Sequence, residues 1–310
     1  MNGLALSRTI RRQNSTETPL TAQSLIQALL NGFILGLIYV AISIGLTIIF
    51  GMLRLVNFAH GAFYAIGAYV GLVVAQKVGF GAGLIAGPIV VAVVAIVLDR
   101  LLLRFFYDKE PTAQILLTFG LAVIAEETLR LMFGGTTQQY PLPDWLQGSM
   151  SIVGLQYPAY RIYMAVAIVA IVVAVWLFIS RTNYGLIVRA GVRDRTMVQL
   201  LGGNVRAAST MIFALGAALA GLVGVAASPI YSIDPQTGFK FLIPSFVVVV
   251  IGGLGSFWGA VAGGLIVGEL SAVMTLIYPG AADVVIYVAM AAVLLARPQG
   301  LFGESEVIKG

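Results

Sequence analysis

The chain carries one histidine, His60, and no cysteine, so its capacity for covalent and metal chemistry is narrow. Without thiols there is no disulfide, no thiolate zinc site, no iron–sulfur cluster and no cysteine nucleophile. One imidazole cannot build a multi-histidine metal site or a bis-histidine haem. A serine triad would have to use His60, and no G-x-S-x-G elbow accompanies it. No G-x-x-x-x-G-K-S/T loop is present, so the chain is not expected to hold ATP in the P-loop manner. The expectation is a non-enzyme with no cofactor of its own.

What remains is a set of polar residues inside apolar blocks. Glu126 and Glu127 precede Arg130 by four and three residues, so one helix can pair either internally. They form either a structural ion pair near a helix end or, for Glu126, part of a solute path. Glu269 has no opposite charge within a turn. An intramembrane carboxylate is costly unless paired, protonated or turned to water. Glu269 is therefore a polar lining group of a path or a partner for a Ser, Thr or Tyr on another helix. Asn57 is placed to cap a helix starting near Phe58, and His60 to satisfy loose backbone carbonyls or make a contact between helices. A place on the path is the rival for both. With Gly61, Phe63, Gly253 and Gly255, these residues make up the candidate translocation path.

Such residues need a frame. The composition is 59% hydrophobic and 10% charged, with a mean hydropathy of +0.98. A soluble domain is about 25% charged. Apolar runs long enough to cross a bilayer recur at 24–50, 58–78, 82–98, 113–133, 162–179, 207–227, 241–251, 257–277 and 284–295. A barrel would read as short alternating segments, so the fold class is all-α. The expected architecture is a polytopic membrane protein of about eight to nine transmembrane helices. Two breaks, at 51–57 and 252–256, interrupt the apolar pattern. Gly61-Ala62-Phe63-Tyr64 follows the first, and Gly255-Ser256-Phe257-Trp258 belongs to the second. The likeness implies two related halves, roughly 24–133 and 162–297, each with an interrupted helix. Paired interruptions point to a substrate path. The glycines at 252, 253 and 255 either let the chain turn within the membrane or let helices approach closely.

The charges outside these blocks set orientation. Residues 1–23 form a polar tail with Arg8, Arg11 and Arg12, expected to be disordered or to lie on the membrane surface, without the pattern of a cleaved signal peptide. The loop 134–160 offers Tyr140, Trp145, Tyr157 and Tyr160 as interfacial anchors. The cytoplasmic loop 180–206 holds Arg181, Arg189, Arg193, Arg195 and Arg206 against Asp194 alone. By the positive-inside rule this basic loop is cytoplasmic. Alternation then places 99–112 and the C-terminal tail 298–310 inside, and 134–160 and 228–240 outside. It also puts the N-terminus outside, against which the three tail arginines argue. The net charge of +5 is thus a topological signal, not a nucleic-acid footprint.

The stretch 185–204 within that loop is the most informative. Val188, Val192, Met197, Leu200 and Leu201 fit a short amphipathic helix, and Gly202 with Asn204 suits its C-terminal stop. A loop used only for charge needs neither an apolar face nor flanking glycines. A docking element for another protein is the better reading.

Asn57-Phe58-Ala59-His60-Gly61, with Gly67 beyond, resembles the N-F-A-H-G signature of the LivH-type permeases, the membrane subunits of bacterial branched-chain amino acid ABC importers. Arg189-Ala190, Asp194, and Leu201-Gly202 with Asn204 resemble that family's cytoplasmic coupling segment. Gly252-Gly253-Leu254-Gly255-Ser256 resembles its G-G-x-G-S break, and Pro298-Gln299-Gly300-Leu301-Phe302-Gly303 its C-terminal motif. The resemblance covers about Leu25 to Gly303. Val198 stands where relatives usually carry Ala, and Gly203 where they carry Ile or Val. Ser271 stands where many carry a carboxylate, and the basic tail is longer than is typical.

The resemblance implies a multi-pass permease of the bacterial inner membrane, paired with a second, LivM-type permease subunit. Two cytosolic ATPases, holding ATP and magnesium, would dock on Gly185, Arg189, Ala190, Asp194, Leu200, Leu201 and Gly202. A periplasmic or lipid-anchored binding protein would deliver solute. Leucine, urea, short amides and aromatic acids all fit as substrates. A stand-alone secondary transporter or channel, coupled through Glu269 or Glu126, is the alternative.

Overall fold

A computed structural model describes residues 21–107, 109–152 and 154–303. Among them the chain forms eleven α-helices and one short hairpin. In chain order the helices are α1 (Ala22–Leu53), α2 (His60–Val78), α3 (Phe80–Leu101), α4 (Pro111–Phe133), α5 (Ala159–Arg181), α6 (Asn183–Arg193), α7 (Arg195–Leu200), α8 (Val205–Ala227), α9 (Thr237–Gly252), α10 (Phe257–Ile277) and α11 (Ala282–Ala296). Strands β1 (Ser149–Ile152) and β2 (Leu155–Pro158) pair antiparallel between α4 and α5. Among the described residues, seven helical segments are long and apolar enough to span a membrane. The 23-residue α4 is more polar, because it carries Glu126, Glu127 and Arg130, and α9 has 16 residues. Both breaks fall where the apolar pattern lapses, and the α10 boundaries coincide with the apolar run 257–277.

Helix ends follow local chemistry. Thr21 and Ser24 form a capping box at the start of α1. Pro111 opens α4, where its missing N–H costs nothing. Small residues set the packing between spans. Gly32, Gly36, Gly264 and Gly268 let α1 and α10 lie backbone to backbone along their length, and a Cβ on Gly268 would collide with Gly36. Gly67 and Gly221 do the same for α2 and α8. The core fills with α1, α2, α8 and α9 side chains, among them Ile38, Phe63, Tyr64, Phe213 and Val248, all buried.

Contacts define the two ends of the bundle. At one end the last turn of α1 meets the second break and α6: a Cβ on Gly51 would touch the Gly255 Cα at 3.5 Å and the Val192 Cγ2 at 3.8 Å. Both breaks therefore lie at the end that carries the basic loop. At the other end Asn31 of α1 accepts from the Tyr157 hydroxyl at 2.9 Å and from Arg161. Gln138 bridges to Ile233 there, joining the loop after α4 to the connection after α8. The start of α1 thus lies at the end opposite the basic loop. The arginines of residues 1–20 fall outside the described residues.

Three of the four expected interfacial anchors are instead internal staples. Tyr140 donates to the Gly71 carbonyl at 3.2 Å, Tyr157 to Asn31, and Tyr160 to the Ala226 carbonyl at 2.6 Å. Each hydroxyl finds a partner on a span, which makes burial cheaper than a place among headgroups. Burial pushes the Tyr140 phenol up to about 12. Only Trp145 of the four is exposed.

Candidate functional site

The first break is a buried corner held by hydrogen bonds, with Asn57 Nδ2 and His60 Nδ1 left without partners among the described residues. Asn57 Oδ1 accepts from the Ala59 amide at 3.1 Å, and the His60 amide bonds back to the Asn57 carbonyl at 3.3 Å. The helix begins at His60, two residues later than expected, so Asn57 makes a turn ahead of α2 and Ala59 holds the cap position. The His60 Nε2 lies 3.2 Å from the Ile42 carbonyl of α1, and the ring is fully buried against Gly45. This is the backbone-satisfying contact between helices. Phe63 packs edge-on to Phe213 with centroids 5.8 Å apart, and Gly61 lets the Gly238 carbonyl of α9 approach. Asn57, His60, Gly61 and Phe63 are all interior and together fix how α2 leaves the break.

The carboxylates separate into two kinds. Arg130 holds Glu126 at 2.9 Å and Glu127 at 3.4 Å along α4, the internal pairing that their spacing predicts. Glu269 is unlike them. It lies on α10 against Gly32 of α1, and no donor meets its buried Oε2 among the described residues. Leu265, Ile266, Leu270 and Val273 surround it in an apolar hollow of about 410 Å³ on the outer surface of the bundle. Among the described residues it makes no hydrogen bond to Ser, Thr or Tyr.

The basic loop folds as two helices, α6 and α7, where the spacing predicts one. Asp194 separates them: it ends α6, and its Oδ1 accepts from the Met197 amide at 2.9 Å to start α7. α6 is seated by α5. Thr182 Oγ1 accepts from the Gly185 amide at 3.1 Å, Arg189 donates to the Ile179 carbonyl, and a Cβ on Gly185 would collide with that same carbonyl. The expected apolar face divides in two. Val188 is buried against the body, as is Val198, which is not among the expected positions, while Val192 is exposed. Met197, Leu200 and Leu201 point away from it, with Leu200 78% and Leu201 80% exposed. Gly202, at φ +81°, ends α7 in the left-handed turn that glycine adopts readily. Asn204 does not stop α7 but caps α8, accepting from the Ala207 amide at 3.0 Å.

The second break is closed by the C-terminal motif. The amides of Leu301 and Phe302 donate to the carbonyls of Ile251 and Gly252 at 2.8 and 2.9 Å. These are carbonyls that the end of α9 leaves without intrahelical partners. Gly253, at φ +102°, and Gly300, at φ +78°, interlock: a Cβ on Gly300 would lie 2.6 Å from the Gly253 backbone, and one on Gly253 would lie 2.5 Å from the Gly303 nitrogen. Gly255 faces Gly51 on the α1 side. The structure thus joins two motifs that lie about fifty residues apart in the sequence.

Sequence reasoning missed a polar brace at the same end. Asp99 lies inside α3, not in a loop, and is 2% exposed. It accepts from Thr210 of α8 at 2.5 Å and from Tyr107. Gln114 Nε2 reaches the carbonyls of Phe106, Tyr107 and Lys109, while Thr118 Oγ1 accepts from the Phe58 amide. The Gln114 and Thr118 spacing on one face of a span was the available signal.

A multi-span helical bundle with two glycine-containing breaks at one end and an exposed apolar pair on its basic loop is a multi-pass membrane protein. The chain belongs to the family described as branched-chain amino acid transport system / permease component, whose model matches residues 28–294. It is 29% identical over 299 residues to the high-affinity branched-chain amino acid transport system permease protein LivH of Salmonella typhimurium, covering 92% of this chain and 97% of that one. Against the corresponding protein BraD of Pseudomonas aeruginosa the identity is 30%, over the same shares. A solved structure, PsaBC from Streptococcus pneumoniae in complex with Fab, aligns over 88% of this chain and 90% of its own at 14% identity and a TM-score of 0.44.

Proposed function

We propose that the chain is one permease subunit of a binding-protein-dependent ABC importer in the bacterial cytoplasmic membrane. It would translocate a branched-chain amino acid or a related small polar solute. A second permease subunit completes the pair, two cytosolic ATPases bind ATP and magnesium, and a binding protein delivers solute from outside. ATP-driven movement of the ATPases swings α6 and α7 and alternates access between the halves. The observation that carries this reading is the pair Leu200 and Leu201. Two large apolar side chains project from a basic segment and are left uncovered by the described residues. Scarce fixed charge along the spans suits a zwitterion or neutral solute. Glu269 and its hollow face outward from the bundle, toward the second subunit, while Asn57, His60, Gly61 and Phe63 set the geometry of the break from within.

The test is the chain assembled with its neighbouring permease, ATPases and binding protein in proteoliposomes, supplied with radiolabelled leucine, urea or benzoate. Arg189→Ala with Asp194→Ala should leave the assembly intact and abolish ATP-driven uptake. Normal uptake by that variant would overturn the assignment. The alternative of a stand-alone secondary transporter rests on the unpartnered Glu269. It requires the purified chain alone to carry solute down an ion gradient, and absence of flux removes it.

A further inference from the structure

The C-terminal motif has no part in the function as proposed, yet the structure gives it a specific place. Its Leu301 and Phe302 amides complete the end of α9, and its Gly300 interlocks with Gly253 in the break before α10. The far side of that break adjoins Gly51 at the end of α1, where a Cβ would lie 3.5 Å from the Gly255 Cα and 3.8 Å from the Val192 Cγ2 of α6. A Cβ on Gly191 of α6 would lie 3.7 Å from the Cε of Met52, the next residue of α1. Four segments are therefore neighbours in series: the C-terminal motif, the second break, the last turn of α1 and α6. The clasp meets the break backbone on backbone, at Gly253 and Gly300, and the side chains of Val192 and Met52 carry the link on between α1 and α6.

We propose that residues 298–303 are a coupling element: a peptide clasp that makes the second break move as one body with α6. The inference rests on the importer reading above. With the clasp closed, displacement of α6 by a docked ATPase is carried through Gly51 and Gly255 to the junction of α9 and α10. With the clasp open, the carbonyls of Ile251 and Gly252 lose their donors. The break then flexes, and α6 moves without the spans following. Phe302 and Leu301 act as positioning residues through their backbone amides, not by touching solute.

Proline tests this directly, because it removes one amide donor at a chosen place. Phe302→Pro and Leu301→Pro are compared with Phe302→Ala and Leu301→Ala in the complete reconstituted complex, reading leucine moved per ATP hydrolysed. The alanine variants should keep the wild-type ratio within about twofold. The proline variants should assemble and hydrolyse ATP but move about fivefold less leucine per ATP or lower still. An assembled proline variant with the wild-type ratio overturns the proposal. So does a proline variant that fails to assemble while its alanine counterpart succeeds, since the segment is then a folding brace only. Arg189→Ala with Asp194→Ala runs in the same assay. If that pair transports normally, the importer reading itself fails; if it is uncoupled while Phe302→Pro is not, only the clasp fails.

Discussion

At the scale of single residues, the structure turns several candidate site residues into statements about packing. His60 is fully buried, and its Nε2 meets the Ile42 carbonyl. His60→Ala removes that bond and leaves a cavity beside Gly45, a loss of about 2–4 kcal/mol. Thermal unfolding of the purified chain in detergent measures it, and an unchanged midpoint would show that the ring is dispensable. Glu126→Gln should behave differently. Arg130 keeps Glu127 at 3.4 Å, and both partners are partly exposed, so the expected cost is at most about 1 kcal/mol. Uptake close to wild type is the matching functional result; its collapse would place Glu126 on the solute path. The residue types and the Glu–Arg spacing were legible beforehand because they are local. The Ile42 partner of His60 was not, since it depends on how α1 and α2 cross.

At the scale of elements, the docking segment shows what periodicity captures and what it misses. The amphipathic stretch was visible, but its division at Asp194 was not read, although an Asp ahead of a helical run is a common capping signal. Once α6 and α7 separate, apolar positions expected on one face point opposite ways: Val188 inward, Met197, Leu200 and Leu201 outward. The two departures from the family pattern here also touch. A Cβ on Gly203 would lie 2.6 Å from the Val198 Cγ1, so the larger residue at 198 is matched by the smaller one at 203. Gly203→Val alone should lower the unfolding midpoint and weaken ATPase association, by about 1–3 kcal/mol of overpacking. Adding Val198→Ala should recover part of that loss, the rest coming from the Val198 carbonyl at 2.8 Å. Strict additivity of the two substitutions would show that the sites do not communicate. Span positions were predictable to within a few residues, because the apolar runs end at glycines, prolines and charges. Asp99 was misjudged for the same reason. A charge at the end of an apolar run reads as loop, and its partner Thr210 lies 111 positions away.

At the scale of the molecule, the arrangement of ends resolves a conflict that charge counting leaves open. The positive-inside rule fixes the loop holding α6 and α7, while three arginines in residues 1–20 pull the N-terminus to the same side. The fold decides through contacts that no local pattern encodes. Asn31 of α1 meets Tyr157 and Arg161 at one end of the bundle, whereas Gly51 of the same helix meets Gly255 and Val192 at the other. A helix of 32 residues, about 48 Å long, has ample length to join the two faces. Ser24 and Leu201 must therefore lie on opposite sides of the membrane. The absence of cysteine makes the check clean, because any introduced thiol is the only one present. In intact cells, Ser24→Cys should react with a membrane-impermeant maleimide and Leu201→Cys should react only after the membrane is opened. Leu201 is exposed and Ser24 half-buried, so labelling of each thiol in detergent is the control that separates sidedness from burial. If the two thiols respond alike, α1 does not cross. The span count then changes by one, and the alternating placement of every later loop has to be drawn again.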